Sequence, residues 1–120
     1  MKGSGFEGLE GLDDPYLPKV GELYLVGKEI LNEIDVHPKR PAVVIEVPTD
    51  PNGFIEIVTR TTDLTRPGVP HAATPTEHLR HPGVFSYLRS ASAVLWKRPR
   101  VEWLGELDEA TLEAVLEMFS

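Results

Sequence analysis

Apolar and polar residues alternate in short runs along most of this chain and switch to a helical spacing only near its end. Gly21–Val26 reads as a strand, with Leu23 and Leu25 on one face and Tyr24 and Val26 on the other. Ala42–Val47 is the strongest strand in the sequence, an apolar run bounded by Pro41 and Pro48. Pro51-Asn52-Gly53 predicts a tight hairpin turn into Phe54–Thr62, where Phe54, Glu56, Val58 and Arg60 alternate with Ile55, Ile57, Thr59 and Thr61. Val84–Leu88 and Ala93–Lys97 read as two further short strands, with the small polar run Arg89–Ser92 between or within them. Shorter strands are expected near Ala72–Thr74 and, after the interruption at Pro99, over Val101–Leu104. Then the period changes. Asp108 caps a helix whose apolar positions are Ala110, Leu112, Val115, Leu116 and Phe119. Five or six short strands and one amphipathic helix predict a mainly β fold, a small and mostly antiparallel barrel with a C-terminal α-helix packed on it.

The unpatterned stretches complete the outline. Residues 1–14 hold four glycines and isolated apolar residues that form no face, so residues 1–17 are read as a flexible acidic tail before a single domain over 18–120. Gly27–Arg40 is a polar connection interrupted by Ile30-Leu31 and closing on His37-Pro38. Residues 63–83 carry four of the eleven prolines and three of the four histidines and read as a long loop. With no cysteine, disulfides and thiolate metal sites are excluded. The longest apolar runs are far too short to span a bilayer, and the first residues lack the basic and apolar regions of a signal peptide. A cytoplasmic location without membrane contact is therefore expected.

Charge changes the picture of possible partners. The net charge of −7 argues against nucleic acid, but its distribution does not. Residues 1–35 carry three lysines against eight acids, and residues 101–120 carry six acids and no base. Residues 36–100 hold nine Lys/Arg against five acids. A mildly basic centre lies between two acidic ends. It suits either an ordinary charged surface or one facing RNA.

Several enzyme signatures are missing, among them a phosphate-binding glycine loop, a G-x-S-x-G elbow and any recognisable metal-ligand spacing. His71, His78 and His81 lie in the proline-rich loop without a nearby pair of carboxylates, and read as solvent-facing residues rather than a metal cluster.

At Lys39-Arg40-Pro41-Ala42-Val43-Val44-Ile45 the chain resembles the MazF/PemK family of toxin ribonucleases. The resembling features follow in order: the first strand Gly21–Val26, a long loop ending on Arg-Pro, an apolar second strand, a third strand closing on Thr61-Thr62, and the final Leu104–Leu112 link and helix. They cover about residues 18–119. The resemblance implies an SH3-like barrel that dimerises, cuts single-stranded messenger RNA without metal or other cofactor, and is silenced by a cognate antitoxin protein. It assigns Arg40, Thr61 and His37 to catalysis, and Arg40, Arg60, Thr62, Arg89 and Ser90 to RNA binding. A guanidinium at Arg40 would grip phosphate oxygens in a planar fork, and an imidazole at His37 titrates near neutrality. Ordinary alternatives stand beside these roles: an ion pair of Arg40 with Glu46 or a loop acid, threonines serving as strand residues, and an exposed His37. Arg89-Ser90-Ala91-Ser92-Ala93 departs from the family, which carries an acid followed by Arg and Thr there. A toxin-like barrel that binds RNA or a protein without cleaving is the alternative.

Overall fold

The computed structural model describes residues 17–31 and 39–120. In chain order these form β1 (Glu22–Gly27), the short helix α1 (Lys28–Leu31), β2 (Lys39–Glu46), β3 (Phe54–Thr61), β4 (Val69–His71), β5 (Gly83–Ser92), β6 (Val101–Glu106) and the helix α2 (Glu109–Phe119). Single 3₁₀ turns lie at Glu77–Leu79 and Ala93–Leu95. The six strands make one sheet in the order β4-β5-β3-β2-β1-β6, antiparallel at every pairing. It is a curled half-barrel with a C-terminal helix, the mainly β architecture expected from the sequence.

Burial on both faces explains why Ala42–Ile45 is an apolar run rather than an alternation. Ala42 and Val44 face a core with Tyr24, Val26, Ile55, Ile57, Ala91, Trp96 and Val101. Val43 and Ile45 face a second core with Leu23, Val58, Val69, Leu79, Phe85, Leu107 and Val115. In the first, Trp96 is fully buried and meets Tyr24 edge-on, at 5.1 Å between ring centroids. Leu17 packs against this core. In the second, α2 is the lid. Asp108 caps it as expected, its Oδ2 accepting from the Thr111 backbone N–H at 3.0 Å and from the Thr111 hydroxyl at 2.6 Å.

Four local expectations are corrected. Pro51-Asn52-Gly53 does not make a two-residue hairpin: β2 ends at Glu46 and β3 begins at Phe54, with Gly53 N–H donating to the Asp50 carbonyl at 2.8 Å. Pro48 and Pro51 have no N–H to extend the ladder. Ala93–Lys97 is not a strand: β5 runs on through Arg89–Ser92, the within-strand placement the sequence left open, and Ala93–Leu95 turns as 3₁₀ helix. The short strand of the proline-rich loop lies at Val69–His71, ahead of Ala72–Thr74. The last strand runs on through Glu106.

Because β2 runs antiparallel to β3, the start of one and the end of the other meet at the same end of the sheet. Lys39 and Arg40 thereby come beside Arg60 and Thr61.

Candidate functional site

A cleft of about 170 Å³ opens there, lined by Lys39, Arg40, Pro41, Arg60, Thr61, Thr62 and His78. It is smaller than the roughly 300–1,000 Å³ of sites for drug-sized ligands and suits a compact group. Four of the residues proposed from the sequence, Arg40, Arg60, Thr61 and Thr62, are brought together in it. Lys39 and His78 join them. His78 sits on the 3₁₀ turn of the long loop, a placement only the folded loop decides.

Arg60 is the unusual member. Only 3% of it is exposed. Along β3 it is displaced by a bulge: Thr59 pairs with Tyr87 but Arg60 with Phe85, leaving Ser86 as the extra residue of β5. On the far side of β5, His71 pairs with Gly83. The guanidinium spans this corner. Its Nε donates to His71 Nδ1 at 2.9 Å, and its Nη2 donates to the His81 carbonyl at 2.7 Å and the His71 carbonyl at 3.4 Å. Gly83 makes the arrangement possible, since a Cβ there would stand 2.7 Å from Arg60 Cζ and Nη1 and 2.8 Å from the Thr61 carbonyl. Among the described residues no carboxylate pairs with Arg60, and burial pulls its pKa below the ordinary arginine value. A cation enclosed without a carboxylate among the described residues, at the edge of a cleft that also holds Lys39 and Arg40, favours an anion.

His71 corrects the reading of the loop histidines. His78 and His81 are exposed, but His71 is 8% exposed, its ring 5.2 Å from that of Phe85. Pairing of β4 with β5 draws it into the second core. Accepting from Arg60 requires an unprotonated Nδ1, so the ring is neutral with its proton on Nε2. Desolvation foremost, then the Arg60 charge, push its pKa down, and Asp108 pulls the other way. His71 also lines a second cleft with Thr74, Thr76, Glu106 and Asp108.

Arg89 and Ser90 do not belong to this site. They pair with Ile57 and Glu56, while Thr61 pairs with Val84, so Ile57 lies four residues, about 14 Å along the strand, from the end that holds the cleft. Ser90 donates its hydroxyl to Glu56 at 2.8 and 3.0 Å, and the Arg89 guanidinium lies 5.0 Å from the Tyr87 ring centre. The register of β5 decides this, because its added length carries 89–90 to the opposite end of the sheet. His37 lies outside the described residues.

Among the described residues no group of three or more His, Asp or Glu side chains is gathered to hold a metal ion. No described helix is long and apolar enough to cross a membrane. No protein-family model matches the chain, and no curated protein matches it either.

Proposed function

We propose that the cleft binds the phosphodiester backbone of single-stranded RNA and that the protein is a metal-independent endoribonuclease of the toxin type. The single observation that carries this reading is Arg60, a buried guanidinium without a carboxylate partner among the described residues, opening beside Lys39 and Arg40. The ordered resemblance to the MazF/PemK toxins, with Arg40 and Thr61-Thr62 in the same cleft, supplies the substrate class. Arg40 and Arg60 would hold the non-bridging oxygens and steady the charge of the phosphorane. The hydroxyls of Thr61 and Thr62 would donate to the same group. His78 is the histidine of this cleft and the group suited to moving a proton from the 2′-hydroxyl or to the leaving 5′-oxygen. A cognate antitoxin covering the cleft, and a homodimer that extends it across a two-fold axis, complete the proposal.

The purified protein should cut single-stranded RNA in excess chelator, leave 2′,3′-cyclic phosphate ends, and spare a substrate with 2′-deoxyribose at the cut site. Arg40→Ala should lower the rate by about two orders of magnitude or more, and Arg40→Lys should restore little of it. His78→Ala should abolish cleavage and leave binding. One observation favours a second reading: among the described residues no Asp or Glu lines the cleft, and His78 is the imidazole found there. A wild-type protein that binds RNA in a salt-dependent way through Arg40 and Arg60, yet cuts none, establishes the binding-only protein instead.

A further inference from the structure

We propose that His71 is a positioning residue for Arg60 and couples oxyanion binding in the cleft to uptake of a proton. The inference rests on the reading of the cleft as a phosphate site and adds its regulation. His71 connects the two clefts through Arg60. On one side its Nδ1 accepts from Arg60 Nε, and on the other its ring borders the cleft of Glu106 and Asp108.

Protonating Nδ1 turns this acceptor into a donor, so the hydrogen bond to Arg60 is lost and two cations face each other. In the empty protein that state is unfavourable. Arg60 presses on the ring from β3, with Lys39, Arg40 and His78 beyond it in the same cleft. Asp108, the cap of α2, is the group that favours it, and Glu106 lines the same cleft. An oxyanion in the cleft changes the balance. It supplies the counter-charge that Arg60 lacks, and the Nε–H released by His71 becomes a further donor to it. Proton and anion therefore bind cooperatively, and by linkage each strengthens the other to the same extent. The lowered pKa of free His71 agrees with this arrangement.

Two non-titrating probes test the coupling, sulfate and a 2′-O-methyl oligonucleotide, with the histidine rings followed by nitrogen NMR. Free wild type should show His71 as the Nε2–H tautomer, titrating below an ordinary histidine. Sulfate should raise its pKa in wild type but not in Arg60→Met. Oligonucleotide should bind about tenfold more tightly at pH 5.5 than at pH 8. In His71→Gln, whose amide oxygen can still accept from Arg60, that pH dependence should vanish, while His78→Gln should keep it. Persistence of the dependence in His71→Gln, with loss in His78→Gln, overturns the proposal. So does sulfate that binds and leaves the His71 pKa unmoved. If sulfate raises the pKa but no oligonucleotide binds at any pH, the RNA reading falls and the proton–oxyanion coupling stands.

Discussion

Arg60 occupies a strand position that alternation assigns to an ordinary half-exposed residue, and a single bulge plus a missing Cβ make it something else. The bulge at Ser86 turns it toward Phe85, and Gly83 leaves the space its guanidinium fills. Two substitutions separate binding from stability at this corner. Arg60→Met should abolish anion binding, yet leave unfolding stability within about 1 kcal/mol of wild type. The lost hydrogen bonds are offset by relief of burying an unpaired charge, which thermal or urea unfolding will read. Gly83→Ala drives a methyl group into Arg60 and should cost about 1–3 kcal/mol while weakening oxyanion binding. His71 adds a pH dependence whose sign is fixed. Its pKa is lower folded than unfolded, so the unfolded chain binds more protons in the interval between the two values. Stability should thus fall as pH drops below about 6.5, the unfolded value, and level off below the folded one. His71→Gln should flatten this limb in melting curves taken between pH 8 and pH 5.

At the scale of elements, the start of β2, the end of β3 and the long loop after β3 each bring part of the cleft, and α2 covers the second core. Its hold depends on a good start. Asp108 satisfies the Thr111 N–H, and hydrogen bonds from Thr111 keep its carboxylate pKa low. Asp108→Ala should cost about 1 kcal/mol, measured at neutral pH, with Asp108→Asn retaining most of the cap. The stability from this carboxylate is present above its unfolded pKa and is lost as pH falls through the folded one, in the acid range well below the His71 limb. Val115 is fully buried against the second core, so Val115→Asp should unfold the domain outright, visible as loss of near-ultraviolet dichroism. At the other end of the sheet β5 serves structure. Ser90 and Glu56 share hydrogen bonds across the strands, and Arg89 Nε is buried without a hydrogen-bond partner among the described residues. Arg89→Ala should therefore leave RNA affinity unchanged, in contrast to Arg40→Ala.

For the whole molecule, the proposed RNA site is a local group of cations on a protein of net charge −7. The six acids of residues 101–120 lie on β6 and α2 and in the link between them, whereas Lys39, Arg40 and Arg60 gather at the start of β2 and the end of β3. Binding through so few cations predicts a shallow salt dependence, a slope of log affinity against log salt of roughly −2 for three phosphate contacts on a single strand. Titrations between 50 and 200 mM salt measure it, and a slope several times steeper would mean that other basic residues join the interface. If the proposed cleft is completed by a second copy, sedimentation at tens of micromolar should show a dimer. A monomer that retains full cleavage would confine the site to one chain.

Periodicity alone determined much of this protein: the positions of the main strands, the capped C-terminal helix, and a mainly β fold. These are local properties, set by spacing, capping and proline punctuation within a few residues. The ordered resemblance also placed Arg40, Thr61 and Thr62 together, because antiparallel neighbours that begin and end on these residues must bring them to one end of a sheet. Tertiary structure decided the rest. Arg89 and Ser90 left the site because register, not composition, sets which end of a strand a residue occupies. His71 became a buried acceptor rather than a solvent-facing side chain because β4 pairs with β5. His78 entered the cleft through the course of a long connection whose polar sequence carries no period. Only the folded sheet shows that Arg60 is buried without a carboxylate partner among the described residues, since burial depends on Phe85, Gly83 and His71, which lie from 11 to 25 residues away in the chain.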